Sequence, residues 1–234
     1  MIELGKKTIG ILGGMGPEAT ADLFHRIIRA TPVEKDQDHF HVIIDSNTKI
    51  PDRTLAILGE GEDPLPYMIK TGKTLERAGV DFLIMPCNTA HYFYEDLQNA
   101  LDVPVLHMIR LSADYVFKTY PSVQKMGLLA TDGTIASELY HGAYKTHGVE
   151  TIVPSKKSQD KVMNAIYKYI KTGDLKTGEK LLKKVVEELL ESGADTIICG
   201  CTEVSLVLHD GDLDVPVVDP LQVLAEEAVR LASS

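Results

Sequence analysis

Three cysteines in 234 residues are too few for a disulfide scaffold, and pairing any two would strand the third. Free thiols belong to a reducing compartment, so the expected location is the cytoplasm. Lys6 and Lys7 precede only a short apolar run, Thr8 to Leu12, that breaks at Gly13-Gly14, which is not the pattern of a secretory signal. No apolar stretch approaches the ~18 residues of a membrane span. No Lys/Arg block or basic stripe is present and the formal net charge is −10, which argues against nucleic acid as a partner. An anionic ligand would have to find its positive potential inside the site itself. No GxGxxG and no Walker lysine are found, and Cys199-Gly200-Cys201 has no second CxxC or CxxH beside it, so neither dinucleotide, ATP nor zinc is indicated.

What is present is a duplication. Ala78-Gly79-Val80-Asp81-Phe82-Leu83-Ile84-Met85-Pro86-Cys87-Asn88-Thr89 is echoed by Ser192-Gly193-Ala194-Asp195-Thr196-Ile197-Ile198-Cys199-Gly200-Cys201-Thr202-Glu203. Gly79 maps to Gly193, Asp81 to Asp195 and Cys87 to Cys201 at one constant spacing. Lys7–Gly13 resembles Lys125–Thr131, and Val103-Pro104-Val105-Leu106 resembles Val215-Pro216-Val217-Val218. The hydrophobic fraction of 44% is ample for a buried core.

Short Ile/Val/Leu runs without alternation predict parallel strands buried on both faces. They lie at Thr8–Leu12, His41–Asp45, Phe82–Met85, Val103–Leu106, Lys125–Leu129, Thr151–Val153, Thr196–Cys199 and Val215–Val218. Helical spacing falls between them, at Glu18–Ala30, Pro66–Ala78, Gly178–Ser192 and Leu221–Ala232. The expected fold is α/β: two pseudo-symmetric, doubly wound parallel-sheet lobes with the active site between them. The N-terminal lobe is expected over 1–106, completed by a C-terminal helix at 219–234, and the second lobe over 107–218. Hinges are expected near 106–110 and 216–220. The polar run Ser155–Lys161 reads as an exposed loop or lid.

Cys87 and Cys201 each follow an apolar strand and precede a polar residue and a helix. Strand carboxyl ends are where open α/β sheets bind ligands. A helix N-terminus beyond each sulfur would lower the thiol from about 8.5, with Asn88 or Thr89, and Thr202, as capping residues. A lone cysteine in such a place is commonly a structural thiol; a matched pair at duplicated positions points to chemistry. Cys199 maps to Met85 and reads as core. The turn Gly13-Gly14-Met15-Gly16-Pro17 is either a ligand-approach turn or a tight turn alone, and Thr131 sits at the matching strand end. Arg53, in Ile50-Pro51-Asp52-Arg53-Thr54, is either a carboxylate grip or a surface arginine. Lys171 by itself is an ordinary helix-end lysine.

GILGGMGPEAT at 10–20, IPDRT at 50–54, MPCNTAH at 85–91 and GCTEVS at 200–205 together resemble the aspartate racemases of the aspartate/glutamate racemase superfamily, in order and nearly end to end. The resemblance implies two α/β lobes, a homodimer, and interconversion of L- and D-aspartate with no cofactor, neither pyridoxal phosphate nor metal. It implies Cys87 and Cys201 as the acid/base pair. Substrate contacts are implied at Pro51, Asp52, Arg53, Asn88, Thr89, Ala90, Lys171, Thr202 and Glu203, and Met15 and Thr131 join them from their strand ends. Glutamate racemases typically carry His where this chain has Glu203. Some broad-specificity relatives replace the first cysteine, which this chain keeps. Alternatives are a glutamate or broad-specificity racemase, a maleate isomerase or malonate decarboxylase of the same superfamily, and a non-catalytic bilobed amino-acid-binding protein.

Overall fold

The computed structural model describes residues 7–234; Lys6, and with it the start of the expected 1–106 lobe, lies outside the described residues. The chain alternates strand and helix: β1 (Ile9–Gly13), α1 (Pro17–Ala30), β2 (Val42–Ser46), α2 (Arg53–Ile57), α3 (Leu65–Arg77), β3 (Phe82–Ile84), α4 (Tyr94–Ala100) and α5 (Met108–Thr119). It continues through β4 (Lys125–Leu129), α6 (Asp132–Ala136), α7 (Leu139–Lys145), β5 (Glu150–Ile152), α8 (Lys156–Asn164), α9 (Leu175–Glu191), β6 (Thr196–Cys199), β7 (Val217–Val218) and α10 (Pro220–Ala232).

Two compact units result. One runs to Met108 and is rejoined by Leu221–Ser234; the other is Ile109–Pro220. The first holds the sheet β2-β1-β3 and the second the sheet β5-β4-β6-β7, all pairings parallel. Burial of β1, β3 and β6 is complete, with no exposed residue. This is why their sequences carry no period-2 alternation.

The duplicated Gly and Asp have structural work in both units. Gly79 and Gly193 end α3 and α9 with φ of +87° and +92°, a conformation that costs glycine nothing. Two residues on, Asp81 Oδ2 accepts the Thr8 N–H at 2.6 Å, and Asp195 accepts those of Gln124 and Lys125 at 2.8 and 3.1 Å. Each carboxylate therefore fixes the entry of the neighbouring strand.

Three expectations are corrected. The first VPV segment is not a full strand. Pro104 has no N–H to give, so its carbonyl accepts from Leu83 N–H at 2.8 Å, Leu106 N–H donates to Leu83 at 2.9 Å, and pairing stops at the single bridge Leu83–Val105. The second VPV segment keeps only β7, after Pro216 has accepted from Ile197 N–H at 2.9 Å. The repeat alignment of β1 with β4 is out by one residue. Gly10 pairs with Leu83 and Gly127 with Ile197, so Gly10 and Gly127 are the equivalent positions. A Cβ on Gly10 would sit 2.5 Å from Leu83 Cδ2, and one on Gly127 2.7 Å from Ile197 Cδ1. Finally, Ser155–Lys161 is not a loop. Ser155 accepts the Ser158 N–H as the N-cap of α8, and Ser158 and Val162 are buried.

Candidate active site

Each unit carries one member of the repeat-matched thiol pair, Cys87 in the first and Cys201 in the second. In the first, β3 runs into Met85-Pro86-Cys87 and leaves Cys87 6% exposed. Cys87 belongs to one buried cluster with Leu12, Met15, Ile50, Met85 and Ala90, so the end of β1, the IPDRT segment and the cysteine meet in one place. Asn88 and Thr89 are buried beside it. The helix expected after the thiol is a 3₁₀ turn, Thr89–Phe93, and Asn88 stands at its cap position without a side-chain capping bond.

His91, expected from sequence only to pack on the first turn of its helix and to have no catalytic role, holds the backbone around the thiol. Its Nδ1 lies 2.8 Å from the Cys87 carbonyl oxygen, and its Nε2 lies 3.1 Å from the Met108 backbone nitrogen. A backbone N–H only donates, so Nε2 accepts; Nδ1 then carries the hydrogen and donates to Cys87. The ring is fully used in holding the backbone of the thiol. Its spacing of four from Cys87 was the available signal.

Arg53 is committed to the backbone. Nη1 donates to the carbonyls of Pro51 at 2.9 Å and Ile50 at 3.4 Å, and Nη2 to that of Met15 at 3.3 Å. Its guanidinium thus ties the glycine turn to the IPDRT segment and brings positive charge there. Asp52 is the N-cap of α2, accepting the Leu55 N–H at 3.0 Å. The first two glycines of the turn are explained by packing: a Cβ on Gly13 would lie 2.3 Å from Thr20, and one on Gly14 2.3 Å from the Asn47 backbone. Gly14 N–H donates to Thr20 Oγ1 at 2.9 Å.

In the second unit β6 ends in Cys199-Gly200-Cys201. Cys199 is fully buried, with its S–H towards the Leu208 carbonyl at 3.7 Å. Gly200 allows the tight approach of β4, since a Cβ there would meet Leu128 Cδ1 at 2.5 Å. Cys201 is 7% exposed, and its sulfur donates to Glu203 Oε2 at 2.9 Å. Thr202 Oγ1 donates to the same oxygen at 3.2 Å instead of capping a helix. Lys171 Nζ stands 3.8 Å from Glu203 Oε1 and 4.2 Å above the Tyr167 ring. Thr131 caps α6 and is buried, accepting the Thr134 N–H at 3.2 Å.

The expected lowering of the thiol by a helix N-terminus is overturned at Cys201. Only the three-residue turn Val204–Leu206 follows it. Burial pushes the thiol well above its usual range, the Glu203 carboxylate adds to this, and Lys171 opposes it. The site residues therefore fall into two groups. Met15, Pro51, Asp52, Arg53, Cys87, Asn88, Thr89 and Ala90 lie in the first unit; Thr131, Lys171, Cys201, Thr202 and Glu203 lie in the second. Among the described residues no three His, Cys, Asp or Glu side chains cluster to hold a metal ion. No helix among them is long and apolar enough to cross a membrane.

The family model described as Asp/Glu/Hydantoin racemase matches residues 12–228. A broad-specificity amino-acid racemase of Bacillus subtilis is 32% identical over 227 residues, covering 94% of this chain and 96% of its own. The Picrophilus torridus aspartate racemase structure is similar with a TM-score of 0.88 at 30% identity, over 97% of this chain and 94% of that one. An aspartate racemase homologue from Pyrococcus horikoshii gives a TM-score of 0.79 at 27% identity, over 97% and 100%.

Proposed function

The chain belongs to the Asp/Glu/Hydantoin racemase family, and from that premise we propose that it interconverts L- and D-aspartate by proton transfer between two cysteines and the α-carbon, without pyridoxal phosphate or metal. Family membership makes the protein a racemase, an isomerase, and sets aside the non-catalytic binding reading. The observation carrying the proposal is the matched pair itself. Cys87 and Cys201 lie just beyond the ends of the repeat-equivalent strands β3 and β6, nearly buried but each with a small exposed fraction.

Without an electron sink, the α-proton must be removed by a base on one face while an acid supplies a proton on the other. One thiolate and one thiol perform this, and the roles reverse for the other enantiomer. Negative charge then develops on the α-carboxylate, and donors beside the thiols stabilise it. Asn88 and Thr89 are suited to this near Cys87, and Thr202 near Cys201. Arg53 and Lys171 supply the positive charge that a dicarboxylic acid requires in a chain of net charge −10. The same reading takes the protein as a cytoplasmic homodimer.

A second reading is favoured by one observation: the Bacillus subtilis relative, matched over nearly its whole length, is a broad-specificity racemase. The experiment that separates the two incubates the protein with single L-amino acids in D₂O, no cofactor added, and follows optical rotation together with α-deuterium. Aspartate alone racemising supports the proposal; a wide panel racemising supports the second reading. Near-full racemisation by both Cys87→Ser and Cys201→Ser would end the two-thiol mechanism.

A further inference from the structure

The two thiols stand in unlike surroundings although the strands beneath them are duplicates. The spacing that pairs Cys87 with Cys201 pairs the uncharged Thr89 with Glu203. The Glu203 carboxylate has its oxygens divided: Oε2 takes the Cys201 S–H at 2.9 Å and the Thr202 hydroxyl at 3.2 Å, while Oε1 faces Lys171 at 3.8 Å. Glu203 is 8% exposed, so little water intervenes to screen its charge from the sulfur.

We propose that Glu203 is a positioning residue that holds Cys201 as the protonated member of the thiol pair, with Lys171 as the counter-ion that tempers its hold. If Cys201 lost its proton, two anions would face each other at the distance now spanned by the S–H···O bond. Burial, the Glu203 charge and the opposing Lys171 charge all act on this thiol. Behind it Tyr140 on α7, itself buried and pushed up, feels Cys201 together with Tyr144, Cys199 and Asp219 ahead of α10, whose carboxylate accepts the Ser205 hydroxyl at 2.7 Å. The consequence for turnover, which rests on the two-thiol reading, is that the resting enzyme starts with Cys201 as acid. The enantiomer whose α-proton faces Cys87 is then processed without a prior proton shift.

The test uses the intact protein and iodoacetamide, which alkylates the thiolate. The extent of alkylation at Cys201 is read by tandem mass spectrometry across a pH series. Glu203→Gln should move the half-alkylation pH down and speed alkylation at neutral pH several-fold, Glu203→Asp should restore most of the original profile, and Lys171→Met should move it up. Opposite movements distinguish a charge effect from loosened packing, which would expose the thiol and move both profiles down. A Glu203→Gln profile unchanged or moved up would overturn the proposal. Racemisation does not enter this readout, so a failure of the aspartate reading leaves it standing.

Discussion

The Met108 N–H and the Cys87 carbonyl are bridged by one imidazole, that of His91, which accepts from the first at 3.1 Å and donates to the second at 2.8 Å. The ring sits 4.9 Å from that of His107 and is buried. His91→Phe keeps a flat aromatic ring, slightly larger than the imidazole, and strands two backbone groups. A loss of about 2 kcal/mol in urea unfolding is expected, as is a fall in kcat larger than any rise in KM, because the thiol is displaced while substrate groups remain. Unchanged kcat in a destabilised protein would confine His91 to a folding role.

Arg53 offers a second measurement. Its two Nη nitrogens reach three carbonyls at 2.9 to 3.4 Å, and a lysine offers a single nitrogen in their place. Arg53→Lys preserves the charge but not the tie between the glycine turn and the IPDRT segment. We expect kcat/KM for aspartate to fall roughly tenfold to a hundredfold. Retention of wild-type kinetics would mean that charge alone matters there.

The equivalent glycines of β1 and β4 should respond alike. A Cβ on Gly10 enters the space of Leu83 and Val80, and one on Gly127 that of Ile197 and Ala194. Gly10→Ala and Gly127→Ala are each expected to cost about 1–3 kcal/mol, measured by denaturant midpoint. A neutral outcome at either would show that the neighbouring side chain can turn away.

Acid should loosen the start of α8, at a pH below that at which an ordinary carboxylate titrates. The Ser158 hydroxyl, followed by the Ser155 N–H, donates to Glu188 and holds its carboxyl below the usual range. A depressed folded value means that the contribution is complete above the unfolded carboxyl's value of about 4.3 and is lost as pH falls through the folded one. The gap in urea midpoint between wild type and Glu188→Gln should be widest near neutrality and narrow in acid. A gap independent of pH would remove the charge from the explanation.

Much of this was legible where one residue type had one physical purpose. The Gly and Asp of the repeat mark a helix end and a strand entry, and both appear where the duplicated segments put them. The parallel strands followed from unbroken apolar runs. The helix at 156–164 escaped because only its buried Ser158 and Val162 face inward, and neither short polar run nor single valine announces a period. The slip of one residue between β1 and β4 arose because Ile/Leu runs match equally well in adjacent registers, while the side chains of Leu83 and Ile197 decide where a glycine is required. The bond from Cys201 to Glu203 depends on the bend of a tight turn, and two-residue spacing alone does not encode it.

The helix α10 has a bearing on how the protein comes off the ribosome. Its end is tied to the start of the described chain, with the Lys7 N–H donating to the Ala232 carbonyl at 3.1 Å, and Leu221–Ser234 belong to the unit that runs to Met108. The unit Ile109–Pro220 holds all four strands of its own sheet in one continuous stretch. Translation therefore delivers the second unit whole while the first, begun earlier, still lacks α10, and the nascent chain must carry that open apolar face until the helix emerges.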